Sequence, residues 1–210
     1  MQWPCLKEPQ VDTWSRWSSG SFVVVWEDDP PGDGRSQVLA SGFDPRGRPM
    51  FRDLHVHDEE VEDQAHPTLC VDENGAFVVA WEAGGAEAED SSIYMSAFDC
   101  EGERRFPVRR VNRSEDRHQR PDVALRSKGD FVVVWEKAAG EGGFDVVGAG
   151  FDEKGESRFA ERALPAVSTG IQRHPRVDVA EDGSFLTSWM DDADGNDYYE
   201  IRVNRRSRDG

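Results

Sequence analysis

Three histidines stand at nearly matching points of the chain, in Gln64-Ala65-His66, His118-Gln119-Arg120 and Gln172-Arg173-His174, each run followed by proline. Imidazoles repeated in this way can be gathered around a common axis, where they would suit a metal or an anion. Without local ligand spacing, hydrogen-bonded structural histidines are the expectation. His55 and His57 alternate on one strand face and could pinch a metal, but an exposed outer strand is the expectation. The run Asp191-Asp192-Ala193-Asp194-Gly195-Asn196-Asp197 clusters oxygen donors around a flexible glycine. Asp192, Asp194 and Asp197 are the ligands such a loop would offer a hard cation, calcium above all, against the competing reading of a solvated acidic turn. Asp28, Asp29 and Asp33 form a weaker version, and Glu87, Glu89 and Asp90 crowd the corresponding loop of the second repeat. Glu27, Glu82 and Glu136 end equivalent strands. Catalytic groups usually break internal symmetry and these obey it, so they are expected to accept hydrogen bonds from a neighbouring unit.

The elements that must position these groups are written four times. Gly20-Ser21-Phe22-Val23-Val24-Val25-Trp26-Glu27 recurs as Gly75 to Glu82 and Gly129 to Glu136, and in drifted form as Gly183 to Met190. The tryptophans Trp26, Trp81, Trp135 and Trp189 are 55, 54 and 54 residues apart, a fixed period that marks a repeat architecture. A glycine followed by β-branched and aromatic residues, too short for an independent helix, reads as a strand. Alternate side chains point to opposite faces, so Phe77, Val79 and Trp81 share one face, with Val78 and Ala80 on the other. Both faces are apolar and both must be covered, which in an all-strand chain means sheets stacked face to face.

Each repeat is read from a proline that opens its first strand: Pro9, Pro67, Pro121 and Pro175. On that alignment the repeats run 9–66, 67–120, 121–174 and 175–210, and the first carries three additional residues in its loop. A polar turn such as Asp72-Glu73-Asn74-Gly75 leads to the Phe-to-Trp strand. A variable acidic loop, a third strand, a Phe-Asp-x-x-Gly turn and a more polar fourth strand follow, best seen at Phe106 to Asn112. Gly210 aligns with Gly47, Gly102 and Gly155, so the fourth repeat stops before its last strand, which residues 1–8 could supply.

A net charge of −17 repels phosphate backbones and anionic lipid, so nucleic acid and membrane surfaces are not expected partners. The arginines of 104–113 and 202–208 are expected on solvated outer strands. Cys5, Cys70 and Cys100 form an odd set without a CxxC; Cys70 reads as a small core residue. No run of about 18 apolar residues marks a membrane span, and the first residues lack the pattern of a signal peptide, so a soluble chain is expected.

His66-Pro67, Val71-Asp72, Gly75 to Trp81, Phe98-Asp99 with Gly102, and Val111-Asn112 together resemble the repeats of long bacterial repeat proteins, over nearly the whole chain. That resemblance implies propeller-like blades and no common activity. The Asp-box of sialidases places its tryptophan three residues after the glycine, whereas Gly75 and Trp81 are six apart, so no glycosidase function is transferred on it. The expected fold is an all-β propeller domain of four four-stranded blades. It forms either a closed four-bladed ring or half of an eight-bladed ring completed in a homodimer. The leading functional expectation is a non-enzymatic module that recognises a protein or carbohydrate through its variable acidic rim loops. A glycosidase-like enzyme and a structural assembly module are the alternatives.

Overall fold

The computed structural model describes residues 10–17, 19–29, 35–57, 63–84, 90–140, 143–165, 170–196 and 198–210. Every regular element among them is a strand. The innermost strands are β1 (Gln10–Arg16), β5 (Gln64–Val71), β9 (His118–Leu125) and β13 (Ile171–Val179). The Phe-to-Trp strands are β2 (Phe22–Asp28), β6 (Phe77–Ala83), β10 (Phe131–Ala139) and β14 (Phe185–Asp192). Outside these lie β3 (Gln37–Phe43), β7 (Ser92–Phe98), β11 (Gly143–Phe151) and β15 (Glu200–Arg206), and the outer strands are β4 (Pro49–His55), β8 (Arg104–Arg110) and β12 (Ser157–Ala163). They form three four-stranded sheets and one of three strands, each antiparallel and in chain order. Successive sheets pack through their inner strands, the blade arrangement of a β-propeller.

The two apolar faces read from the sequence meet as pairs. Phe77, Val79 and Trp81 pack on Val23 and Val25 of the preceding sheet. Phe131, Val133 and Trp135 pack on Val78 and Ala80, and Phe185 and Trp189 on Val132 and Val134. Outer-strand phenylalanines stitch the same junctions: Phe51 on Phe77, Phe106 on Phe131 and Phe159 on Phe185, with ring centroids 5.7, 6.2 and 5.6 Å apart. Gly150 must be glycine, because a Cβ there would lie 2.2 Å from the Phe159 ring. The Phe-Asp-x-x-Gly turns are held by their aspartates. Asp99 Oδ1 accepts the N–H groups of Glu101 and Glu103, both at 2.9 Å, and Asp44 and Asp152 do the same in their repeats.

The register corrects one expectation. Thr13 pairs with Val25 as Thr68 pairs with Ala80, so the first sheet has no inserted residues and Pro9 is not the counterpart of Pro67. Trp14 and Arg16 belong to β1 rather than to a long loop. The turn ending at Gly210 repeats that of Gly47, with its N–H bonded to the carbonyl three residues back, Ser207 O at 3.0 Å.

Arg104 and Arg109 of β8 and Arg206 of β15 clamp one sheet to another, whereas Arg110, Arg202 and Arg205 bond locally. Arg109 donates to Gly155 O at 3.2 Å and pairs with Glu156 at 2.9 Å. Asp130 is the densest such knot, taking Arg126, Arg158 and Arg208, the last at 2.7 Å and from the turn of the next sheet. Burial pushes its carboxyl up, but the three guanidinia outweigh burial and hold it below its ordinary value. Asp130→Ala leaves these cations facing one another and is expected to cost about 1–3 kcal/mol, measured by urea unfolding at pH 7. A depressed folded pKa stabilises above the unfolded value of 3.8 and is lost as pH falls through the folded one. The difference between variant and wild type should therefore close as the pH drops below about 3.8.

Candidate functional site

The inner strands converge on a cavity of about 290 Å³ lined by residues of all four sheets: Thr13, His66, Pro67, Thr68, Arg120, Pro121, Asp122, His174 and Arg176. Its construction follows from the register. Thr13, Thr68, Asp122 and Arg176 pair with Val25, Ala80, Val134 and Ser188, the same rung of each sheet. The repeat therefore delivers one side chain per blade to the axis, and there the sequence breaks its own symmetry: threonine, threonine, aspartate, arginine.

Just before that rung each inner strand bulges. In the last three sheets the bulge carries a non-glycine residue in left-handed backbone, His66, Arg120 and His174, at φ 50°, 52° and 53°. Each precedes a proline, a position normally held extended, and each costs about 1–3 kcal/mol of strain. The compensation comes from the preceding sheet. The N–H of His66 is bound by Glu27, that of Arg120 by Glu82 Oε2 at 3.3 Å and that of His174 by Glu136 Oε1 at 2.7 Å. The repeated glutamates thus have the structural role their symmetry implied, pinning strained backbone at the axis.

Asp122 is the one carboxylate lining the cavity among its described residues. Burial raises its pKa, against the N–H of Val177 at 2.8 Å, the Arg176 guanidinium and the Thr68 hydroxyl at 3.2 Å, all of which favour the charged form. His66 Nδ1 lies 3.1 Å from Glu82 Oε2. This hydrogen bond raises the His66 pKa despite partial burial, fixes a proton on Nδ1 and leaves Nε2 for a ligand.

The histidines resolve differently from their sequence alignment. The equivalent set is His66, Arg120 and His174, whereas His118 sits two positions earlier, matching Gln64 and Gln172. His118 is fully buried and structural. Its Nδ1 accepts Trp135 Nε1–H at 2.8 Å, its Nε2–H meets Ser114 Oγ at 3.0 Å, and burial lowers its pKa. His55 lies on the exposed β4, its ring edge-on to that of the buried His57 at 5.6 Å.

Asp28 Oδ1 accepts the N–H of Asp29 at 2.9 Å, and Asp90 is exposed in a turn. Asp191 and Asp194 line a separate rim cleft with Arg202, which approaches Asp191 at 3.4 Å. Asp192 Oδ1 accepts the N–H of Asn196 at 3.0 Å, and Asp194 Oδ2 accepts its side-chain amide at 2.7 Å. Asp33, Glu87, Glu89 and Asp197 lie outside the described residues. Among the described residues no three His, Cys, Asp or Glu side chains are grouped to hold a metal ion, and no helix is long and apolar enough to cross a membrane.

No protein-family model matches the chain, and no curated protein matches it in sequence. Solved structures do share the fold. An endo-arabinase from Bacteroides thetaiotaomicron superposes at a TM-score of 0.55 and 12% identity, over 92% of this chain and 73% of its own. A protein of unknown function from Dyadobacter fermentans gives 0.64 at 9% identity, over 91% and 51%. A Penicillium chrysogenum α-L-arabinanase complexed with arabinobiose gives 0.53 at 12%, over 86% and 59%. These likenesses establish the propeller architecture, in which glycoside hydrolases recur. They correct the expectation of a non-enzymatic rim-loop binder. Among the described residues, the polar groups that break the repeat's symmetry lie at the inner-strand cavity.

Proposed function

We propose that the chain is a glycosidase-like hydrolase whose centre is the axial cavity. The carrying observation is Asp122, a half-buried carboxyl in the cavity wall, its pKa raised by burial, at the rung where the repeat departs from its own symmetry. Two-carboxylate hydrolysis is the common pattern. Here the second proton carrier is His66, whose charged form Glu82 favours. Near neutral pH, Asp122 takes a proton from the attacking water as oxygen bonds to the anomeric carbon, and His66 gives its Nε2 proton to the departing oxygen as that bond breaks. His66 is left neutral with its proton on Nδ1, facing Glu82. The test is release of reducing ends from a panel of neutral and acidic oligosaccharides. Turnover by the wild type that Asp122→Asn abolishes supports the reading, and no turnover on any of them removes it.

The ends of the stack support a finer architecture. Each internal junction joins a Phe-Val-Trp face to the aliphatic face of the sheet before it. The first sheet leaves Phe22, Val24 and Trp26 facing away from its neighbour, and the last exposes Leu186, Ile201 and Val203, at 46%, 69% and 58% of their areas. These are the two halves of one more junction. We propose that they join between two chains, completing an eight-bladed ring. Light scattering should then give twice the chain mass of 23.6 kDa, and Ile201→Arg should halve it. A wild-type monomer would sink the dimer.

A further inference from the structure

Resting on the same axial site, we propose that its substrate is an acidic sugar, a uronic acid residue whose carboxylate is held by Arg120 and Arg176. Both residues line the cavity and both are exposed, Arg120 on β9 and Arg176 on β13. Arg176 donates to the neighbouring Pro175 carbonyl at 3.2 Å. Neither arginine has a carboxylate within ion-pair distance among the described residues, in a chain where acids outnumber bases 42 to 25. Elsewhere this excess finds its arginines, as at Asp130, Glu115 and Glu156. At the axis Arg120 and Arg176 lie within ion-pair distance of none of the described carboxylates, with His66 and His174 beside them, Asp122 the one carboxylate among the described lining residues and Glu82 behind His66.

The fold holds these groups there at a cost. Arg120 is itself one of the strained left-handed residues, its backbone N–H bonded to Glu82. The same left-handed turn recurs at His66 and His174, so the repeat fixes the backbone and the sequence places a guanidinium on it in the third sheet. A guanidinium fork matches a carboxylate in two parallel hydrogen bonds, a geometry that a hydroxyl-only sugar cannot use. The surrounding charge of −17 repels polyanions at long range, so an acid is attracted only by the local field of the cavity and not by a generic basic surface. At about 290 Å³ the cavity is at the small end of ligand pockets, which suits one sugar ring with its carboxylate.

The test is calorimetric titration of the full chain with an oligogalacturonide, a neutral arabino-oligosaccharide of equal length, and inorganic phosphate. It is repeated with Arg120→Gln and Arg176→Gln after thermal unfolding has confirmed that each variant folds. The acidic oligosaccharide is expected to bind at least about tenfold more tightly than the neutral one, and each variant to lose most of that preference. Equal binding of the two sugars, or a preference unchanged in both variants, overturns the inference. If phosphate binds as tightly as the oligogalacturonide, the site is an anion site only, and the inference falls too. Hydrolysis of neutral sugar without acidic preference would leave the hydrolase reading standing while this one fails. Arginine-dependent acidic binding without hydrolysis would do the reverse.

Discussion

Replacing Asp122 with asparagine is expected to lower kcat/KM on any substrate the chain turns over by about 10²–10⁴, the range for removing a positioned general base. Asparagine keeps an oxygen for the Val177 N–H, and its amide nitrogen can donate to the Thr68 hydroxyl in place of the second carboxylate oxygen, so the cavity wall should survive. Stability should hold or rise slightly, because the substitution removes a charge that burial disfavours. A loss of activity with an unchanged unfolding midpoint is therefore the signature, and a matching loss of both would make Asp122 structural. The pH profile supplies a second readout. Activity should fall on the acid side as Asp122 is protonated, at a pH above its ordinary 3.8, because burial raises it. It should fall on the alkaline side as His66 loses its proton, above 6.5, because Glu82 raises it. Glu82→Gln removes the main cause of that elevation, so the alkaline limb should move to lower pH while the acid limb stays. A limb that does not move would take His66 out of the acid role.

The architecture was legible because it rests on local pattern repeated four times: strand from Phe-Val-Val-Val-Trp, turn from Asp-x-x-Gly, burial on both faces from apolar residues at odd and even positions. The role of Glu27, Glu82 and Glu136 was legible from their symmetry alone. The axial site was not, for a physical reason. Its residues are single positions on four strands, brought together by the packing of successive inner strands and not by any spacing along the chain. The signal existed at the residue after each proline, Thr68, Asp122 and Arg176. Aligning the first repeat on Pro9 hid it, because there the bulge contains no proline and the matching residue is Thr13. The acidic loops drew attention through composition. Yet several of their carboxylates are satisfied by their own loops, Asp192 and Asp194 by Asn196 and Asp28 by Asp29, a competition between local hydrogen bonding and ligand binding that composition cannot reveal.

Trp135 should be the most costly single truncation in the fold. It is fully buried between the second and third sheets, in the largest apolar cluster, and its indole N–H is bonded to His118 Nδ1 at 2.8 Å. Trp135→Ala combines a cavity with an orphaned acceptor and is expected to cost about 3–5 kcal/mol by urea unfolding at pH 8. Trp135→Phe refills much of the volume but not the hydrogen bond, and should cost about 1–3 kcal/mol. The pH dependence separates the two contributions. His118 is depressed by burial, so its neutral form stabilises the fold above 6.5. That stability is lost as pH falls, because the unfolded chain takes up a proton that the folded one refuses. Once the indole is removed, Nδ1 is free to accept the proton and the folded pKa returns toward 6.5. The deficit of Trp135→Ala should accordingly be smaller at pH 5 than at pH 8. A deficit that is the same at both values would mean that His118 stays neutral without its indole partner, and that packing alone, rather than the Trp135 hydrogen bond, sets its protonation.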